Sequence, residues 1–521
     1  MFFDGGKFTK KICSFSVICG MMINSTTMEW VQIKGKERNE AVKKKWIALA
    51  LVLAMTLSLS GCLFRSPEDL YRQPEKSAGY EKLNEAIRKV RTALELSYGV
   101  AVEDAGIVSG DNTASIQLQD LDGDGSRESA VTFLRVPGVT KPLKILIFTQ
   151  MGEEYQVTGM VEGEGTVVYS IEYQQLNDTG RKELVVNWQI STGAYQLGVY
   201  TLDELLLPGT DEGQMIKTDS TQTDFSRLVG SELLLTWCSV ASDGSNGARL
   251  TDINQDTLTE LAVIRVDSTG MNSYVELFGW RDGAMTSLGT VNLSKGITEL
   301  SRVRLNYLSG QPEPPALYIT STLANGGKAI DVVACVDGHL TDLTLDESGI
   351  SREILQGYTE VTPTDINGDY ILEIPTPNAL PSYGENYSTD FWLIDWCQYD
   401  EHGHRNHVMT TYHNVSDGWY LEIPESWRGQ ITISRNDQVT GQREVIVSRW
   451  MGEDEEPEPF LSIYRISSSQ GNRVAENGWF LLREEESVIY AAQFKGSWDC
   501  GLNEQELRDR VKSIQTSWYY D

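Results

Sequence analysis

The sequence predicts an all-β protein, and two observations carry this prediction. Short apolar runs alternate with turns rich in Gly, Asp and Asn along most of the 521 residues. In addition, one acidic turn recurs, and the last acid of each copy directly precedes an apolar run. The clearest of these acids are Glu128, Glu183, Glu260 and Glu373, at spacings of 55, 77 and 113 residues. Recurrence at such intervals indicates one turn for each small β-sheet.

The most complete copy of the turn runs from Asp120 to Glu128. Its acids at positions 1, 3 and 5 and its glycine at position 6 provide the hard oxygen ligands that Ca²⁺ prefers. A helix-loop-helix calcium site would need a glutamate at position 12, where this chain has Val131. Predicted strands flank the turn, so we expect a strand-loop-strand site. Its candidate ligands are Asp120, Asp122, Asp124, Ser126 and Glu128.

Weaker copies keep only parts of this pattern. The second, from Gln175 to Glu183, has lost the charge that an ion needs, and the fourth and sixth, near Asn306 and Asn436, are decayed. The third and fifth keep acids at positions 1, 5 and 9 but lack the glycine at position 6. Their candidate ligands are Asp252, Asn254, Asp256, Glu260, Asp365, Asn367, Asp369 and Glu373. The sequence therefore predicts one to three structural calcium ions, with ion-free hydrogen-bonded turns as the alternative.

A repeat of about 55 to 75 residues with several short strands is typical of a β-propeller blade. We count six blades, with a seventh as the alternative if the strand at 487–492 helps to close the ring. The stretch Ile116–Gly125 resembles the integrin-type FG-GAP and VCBS repeats. The resemblance covers one loop well and about 380 residues loosely. It implies loop calcium ions with a structural rather than a catalytic role.

The N-terminal region predicts export. Lys43–Lys45 precede the apolar run Trp46–Leu59 and the tetrapeptide Leu59-Ser60-Gly61-Cys62, which resembles a bacterial lipobox. A basic segment followed by a short apolar run is typical of a secretory signal, and the run is too short for a spanning helix. The resemblance implies that Cys62 becomes the acylated first residue, with a single-pass anchor as the alternative. We interpret residues 1–27 as the result of a start codon placed too early.

The charge balance argues against nucleic acid as a partner. The chain carries 44 Lys and Arg against 74 Asp and Glu, a formal net charge of −30, which becomes about −35 without residues 1–61. Such a surface repels nucleic acid and anionic lipid headgroups. We therefore expect attachment to the extracytoplasmic face of the cell membrane through the lipid on Cys62.

The domain organisation follows from these segments. An amphipathic helix is predicted at 79–98, because Leu83, Ile87, Val90 and Leu94 share one face at helical spacing. We expect it to pack on the sheets, with a partner-binding helix as the alternative. The segments are the signal at 1–61, a tether at 62–78, the helix at 79–98, the propeller at 110–495 and a helical cap at 496–521.

Histidines and cysteines add two smaller predictions. His402, His404, His407 and His413 lie within twelve residues and are candidate ligands for Zn²⁺ or Cu²⁺. Because their spacing matches no closed zinc motif, a polar hairpin tip is the favoured interpretation. The four cysteines after Cys62 are expected to be mainly buried free thiols, with one disulfide as the alternative.

The sequence favours a binding protein over an enzyme. It contains no Gly-x-Ser-x-Gly, no His-Glu-x-x-His, no phosphate-binding loop and no dinucleotide fingerprint. We expect a calcium-stabilised propeller that binds a protein or carbohydrate ligand on one face, for adhesion, envelope assembly or ligand capture. Two alternatives stay open. One is a glycan-active hydrolase or lyase with paired carboxylates in the central funnel, and the other is a scaffold subunit of a cell-envelope complex.

Overall fold

The computed structural model describes residues 78–127, 129–202, 225–310, 313–383, 391–515 and 518. These residues belong to one unit that begins at Ala78. The predicted export signal, Cys62 and Glu128 lie outside the described residues. Within the described part of the chain, no helix is both long enough and apolar enough to cross a membrane.

The described strands form six antiparallel sheets of four or five strands each, and successive strands are mostly neighbours in the same sheet. The first sheet contains β1 Glu103–Asp104, β2 Ile116–Gln119, β3 Ser129–Arg135, β4 Leu143–Met151 and β5 Glu154–Gly163. The second contains β6 Val167–Gln174, β7 Glu183–Ser191, β8 Ala194–Thr201 and β9 Ser231–Cys238. The third contains β10 Ala248–Thr251, β11 Glu260–Arg265, β12 Tyr274–Arg281 and β13 Ala284–Asn292.

The fourth and fifth sheets each gain a strand from outside the simple meander, and in the sixth sheet β27 lies between β25 and β26. The fourth contains β14 Ile297–Tyr307, β15 Pro315–Leu323, β16 Lys328–Val336, β17 His339–Asp342 and β18 Ile354–Leu355. The fifth contains β19 Ile374–Ala379, β20 Trp392–Tyr399, β21 Arg405–Asn414, β22 Trp419–Ile423 and the C-terminal β28 Val511–Ser513. The sixth contains β23 Ile431–Asn436, β24 Gln442–Arg449, β25 Glu458–Ser467, β26 Phe480–Glu484 and β27 Val488–Phe494.

The described residues contain one long helix and two short ones. They are α1 Ala78–Tyr98, α2 Asn472–Glu476 and α3 Glu504–Arg510, with 3-10 turns at Phe225–Leu228, Val415–Asp417, Glu425–Trp427 and Ser468–Gln470. Helix α3 begins with a capping box, in which Asn503 accepts two backbone N–H groups and Glu506 accepts the N–H of Asn503. The helical part of the cap expected at 496–521 is therefore short, because Val511–Ser513 form a strand that pairs with β22.

Apolar residues on both faces of the central strands explain the stacking of the sheets. Strand β3 is buried at six of its seven residues, so it needs a cover on each side. Five apolar clusters each join one sheet to the next along the chain. The core is thus divided into layers between neighbouring sheets.

The first sheet has a different cover on its other face. Leu83, Val90 and Leu94 of α1 are buried there, together with Phe225 and Leu228. Among the described residues, none of the apolar clusters joins the sixth sheet to the first. The structure therefore shows six sheets in a propeller-like succession. The strand predicted at 487–492 belongs to the sixth sheet and does not form a seventh.

The cysteines and one hairpin match the sequence analysis. Cys238, Cys335, Cys397 and Cys500 are free thiols, and all but Cys335 are buried. Strands β20 and β21 form the hairpin that was expected around the histidines.

Two buried carboxylates meet in the fourth sheet. The side chain of Asp331 is fully buried, and its Oδ1 accepts the backbone N–H of Ser294 at 3.1 Å. Asp342 Oδ1 accepts the N–H and the hydroxyl of Thr344 at 2.9 and 2.7 Å. The Oδ2 atoms of both aspartates are buried without a hydrogen-bond donor. Burial and the neighbouring Asp342 raise the pKa of Asp331 well above its ordinary value, and burial also raises the pKa of Asp342.

This pair predicts a fall in stability as the pH rises. The folded protein keeps a proton that the unfolded chain releases near pH 4, so the free energy of unfolding decreases as the pH rises above that value. The free energy of unfolding should decrease less between pH 5 and pH 8 in Asp331→Asn than in the wild type. We expect the difference to exceed about 1 kcal/mol, roughly the equivalent of one pKa unit. Urea unfolding at the two pH values measures this. Asp337→Asn, at an exposed hairpin position of the same sheet, is the control and should keep the wild-type slope; equal slopes in all three proteins would contradict the assignment.

Candidate metal centre

In four of the sheets the acidic turn lies in the connection between two strands that pair with each other. Turns of this kind join β2 to β3, β6 to β7, β10 to β11 and β23 to β24. The fifth-sheet turn is closed by a bridge between Thr364 and Glu373 just before β19. The decayed fourth copy lies between β14 and β15.

The first turn has a frame of side-chain to backbone hydrogen bonds. Asp120 at position 1 accepts the N–H groups of Gly123 at 2.8 Å and Gly125 at 3.1 Å. Asp122 at position 3 accepts the N–H of Asp124 at 3.3 Å. Asp124 at position 5 accepts the N–H of Ser126 at 2.7 Å. The three carboxylates are thereby held toward the inside of one turn.

The fifth turn repeats this frame, and the third repeats it except that the N–H of position 5, rather than of position 4, bonds to Asp252 Oδ1. Asp252 accepts the N–H of Asp256 at 3.0 Å and of Thr257 at 2.9 Å, and Asn254 accepts the N–H of Asp256 at 2.9 Å. In the fifth turn Asp365 accepts the N–H of Tyr370 at 2.9 Å. The remaining backbone N–H donors are Leu258 to Asp256, Gly368 and Asp369 to Asp365, Asp369 to Asn367, and Ile371 to Asp369.

Position 6 adopts the left-handed conformation whether or not it is glycine. Its φ is +93° at Gly125, +77° at Thr257 and +71° at Tyr370. A β-branched residue such as Thr257 is rarely found there, because its Cβ meets the backbone. The loss of glycine in these copies has therefore left the turn geometry unchanged.

The acid at position 9 accepts a hydrogen bond from the backbone at the beginning of the turn. Glu183, Glu260 and Glu373 are fully buried, and each accepts the N–H of the residue at position 2. The residues at position 2 are themselves buried apolar anchors: Leu121, Leu176, Ile253 and Ile366. In the sixth sheet the equivalent Glu444 accepts from Asn436, Ser462 and Lys495.

Burial affects the protonation of these glutamates. It raises the pKa of Glu260 to about 7, helped by the nearby charges of Asp256 and Asp252. Burial likewise raises the pKa of Glu373 to about 7, against the hydrogen bonds from Ile366 and Gln398. For Glu444 burial acts in the same direction, but the hydrogen bonds from Lys495 and Ser462 outweigh it and lower the pKa.

The third and fifth turns carry their own compensation for the acids. In the third, the Arg281 guanidinium lies 2.5 Å from Asp256 Oδ2 and 3.9 Å from Glu260. In the fifth, Gln398 Nε2 donates to Asp369 Oδ2 at 2.8 Å and to Glu373 Oε1 at 2.7 Å. Arg281 and Gln398 thus contact acids that a bound ion would otherwise neutralise. Arg281 and Gln398 have no local sequence signal, because they belong to neighbouring strands of their sheets.

The first turn has no such partner. Within the described ranges, no cationic or amide side chain contacts Asp120, Asp122 or Asp124. They are also the one described group of three His, Cys, Asp or Glu side chains whose ligand atoms lie within 4.8 Å of one another. Hard carboxylate oxygens in this number fit Ca²⁺. Asp122 and Asp124 are exposed, so an ion could reach them from solvent.

The first turn also packs against the second. Lys182 donates its N–H to the carbonyl of Leu121 at 3.0 Å. A Cβ on Gly123 would lie 2.1 Å from the carbonyl oxygen of Gly180. Gly123 therefore serves a close backbone approach between neighbouring sheets as well as a positive φ of +80°.

The histidines are dispersed over two environments. His402 and His404 lie at the exposed hairpin tip with ring centroids 5.9 Å apart, and His404 Nδ1 lies 2.9 Å from Asp400 Oδ2. His407 Nε2 instead lies 3.0 Å from the hydroxyl of Thr410. His413 is buried among aromatic rings, where burial lowers its pKa to about 3. The transition-metal site at His402, His404 and His407 stays a prediction.

Comparison with known proteins yields structural matches only. No family model matches the chain, and no curated protein matches it. An exotype rhamnogalacturonan lyase, YesX, matches at 10% identity and a TM-score of 0.23, over 67% of this chain and 74% of its own. A Bacillus licheniformis rhamnogalacturonan lyase matches at 10% identity and 0.23, over 67% and 72%. The polysaccharide lyase Uly1 matches at 9% identity and 0.24, over 76% and 94%. TM-scores this low carry no conclusion about activity.

The packing of the first turn predicts unequal costs for two glycine substitutions. Gly125→Ala adds a Cβ that meets no atom within 4 Å, so it should cost about 1–2 kcal/mol for the left-handed backbone alone. Gly123→Ala adds the clash with Gly180 and should cost about 1–3 kcal/mol more. Urea unfolding of the two variants tests this. Equal losses of stability would mean that the two turns do not touch.

Proposed function

We propose that this protein is a lipid-anchored binding protein of the extracytoplasmic face. Its propeller-like array of six sheets forms the rigid body, and one calcium ion stabilises the first acidic turn. The observation that supports the ion is the uncompensated set Asp120, Asp122 and Asp124, which contrasts with the compensated third turn at Arg281.

The ion has a structural role in this proposal. Three carboxylates within one turn repel one another, and a bound divalent cation would remove this repulsion. Backbone N–H groups already hold the three side chains in place. Little ordering is therefore needed on binding, and the gain appears as stability of the contact between the first and second sheets.

Membrane attachment is supported by the sequence. The lipobox resemblance at Leu59–Cys62 supplies the anchor, and the excess of acids makes direct adsorption to anionic lipids unfavourable. Connections held by stacked sheets supply binding loops on a rigid scaffold. A protein or carbohydrate ligand on such loops fits adhesion, envelope assembly or ligand capture.

The calcium proposal predicts a stabilisation that depends on one turn. Addition of millimolar Ca²⁺ to the chelator-treated full chain should raise its thermal midpoint by about 2–5 °C. Asp122→Asn/Asp124→Asn should abolish this rise, because Asn keeps the acceptors for the backbone N–H groups but removes two ligand charges. Circular dichroism melts with and without EDTA measure it.

The third turn supplies the matched control. Asp252→Asn/Asp256→Asn likewise removes two acids, at positions 1 and 5 of the third turn, but there Arg281 already compensates the acids. This variant should keep the calcium response of the wild type. Absence of a rise in the wild type, or a rise that survives in the first-turn variant, would contradict the proposed site.

Membrane attachment has its own test. In a bacterial host with lipoprotein processing, Cys62→Ser should move the chain from the detergent-extracted membrane fraction to the soluble fraction. Cys13→Ser, which lies ahead of the predicted processing point, should leave the distribution unchanged. Retention of the Cys62→Ser chain in the membrane fraction would exclude a lipid on Cys62 as its sole anchor.

A further inference from the structure

Two arginines stand directly opposite each other in the sixth sheet. The β24–β25 register pairs Arg443 with Arg465. Like charges in this position of an antiparallel ladder are unfavourable unless something neutralises them. The pair therefore needs a counter-charge.

The protein supplies one carboxylate for the two guanidinium groups. Asp417, from the 3-10 turn before β22, lies with its Oδ1 2.6 Å from Arg443 and 3.4 Å from Arg465. The side chain of Asp417 is 2% exposed, whereas those of Arg443 and Arg465 are 41% and 35% exposed. Asp417 thus contacts the arginines from the protein interior and leaves their outer sides open.

Arg465 is incompletely satisfied by this contact. Its Nε is buried and has no hydrogen-bond partner among the described residues, although the ion pair with Asp417 is close. Two cations against one anion leave one positive charge at this place. In a chain with a formal net charge of −30 this is a local reversal of sign.

Both arginines line a cleft of about 430 Å³. Hydroxyl groups of Thr440, Ser467 and Ser487 also line it, and they can donate to an anion. The acid at its rim, Asp437, is already paired with Arg435 at 2.6 Å. This volume falls within the range of small-molecule sites and exceeds the needs of a single inorganic ion.

We infer that this cleft binds a small molecule through a carboxylate group, which completes the neutralisation of Arg443 and Arg465. A guanidinium fork matches a planar carboxylate in a bidentate arrangement. The inference rests on the proposed binding role for its biological meaning, and it is independent of the calcium turn and of membrane attachment.

The test compares anions of different geometry on the purified full chain. Isothermal titration calorimetry with glucuronate and succinate as carboxylates should show binding, and glucose, the neutral sugar, should show none. Inorganic sulfate and phosphate should compete only weakly. Tighter binding of sulfate or phosphate than of either carboxylate would overturn the assigned ligand class.

Variants of the cleft change the affinity in opposite directions. Arg465→Gln should weaken carboxylate binding at least tenfold, and Arg443→Lys, which keeps the charge but loses the fork, should also weaken it. Asp417→Asn removes the internal counter-charge and should tighten binding severalfold. Circular dichroism verifies that each variant is folded.

Two control proteins distinguish a failure of the carboxylate inference from a failure of the calcium proposal. Arg449→Gln removes a positive charge from the same strand, at a side chain that lies over the Trp498 ring, and should leave the affinity unchanged. The first-turn variant Asp122→Asn/Asp124→Asn should bind carboxylates normally. Absence of binding in the wild type, or equal losses in Arg465→Gln and Arg449→Gln, would overturn the inference while leaving the calcium result unaffected.

Discussion

Burial of one carboxylate at the end of the turn, next to the strand that follows, is the constraint on which the acidic turns depend. A buried carboxylate is very unfavourable unless it is hydrogen-bonded. Glu183, Glu260 and Glu373 meet this requirement by accepting the N–H of position 2 in the preceding turn. The same bond pulls the apolar side chain of position 2 into the core. One residue therefore fixes the shape of the turn, its depth in the sheet and the beginning of the next strand.

The shared frame creates an electrostatic problem that the turns solve differently. Carboxylates at positions 1, 5 and 9 point toward one region, and each turn must reduce their mutual repulsion. The third turn uses Arg281 and the fifth uses Gln398. Raised pKa values of Glu260 and Glu373 reduce the negative charge further. The first turn has three described aspartates and neither kind of partner, which is why an external cation is proposed there alone.

The sequence predicted those parts of the structure that depend on local patterns. Strands β7 and β11 begin at Glu183 and Glu260, because an acid that closes a turn and an apolar run that follows it are adjacent in the chain. Helical spacing likewise selected Leu83, Val90 and Leu94, which are buried on the first sheet. Six sheets follow from counting such turns.

The remaining features depend on which strands become neighbours. Arg281 and Gln398 reach their turns from 21 and 25 residues beyond the buried glutamates, and no local pattern marks them. The opposition of Arg443 and Arg465 depends on the β24–β25 register, which composition does not specify. The histidines show that residues close in the chain can be separated in the fold. His402 and His404 lie at an exposed hairpin tip, whereas His413 lies among buried aromatic rings.

The layered core has a consequence for the energetics of the whole array. Five of the apolar clusters are each shared by two neighbouring sheets, so each sheet is stabilised chiefly by its own strands and by the sheets next to it, as in repeat proteins. Among the described residues the first sheet shares no apolar cluster with the sixth, so its outer apolar side chains need another cover. Helix α1 supplies that cover for the first sheet, and the proposed calcium turn strengthens the first contact between sheets. Stability added at this end therefore acts where the array has fewest neighbours to support it.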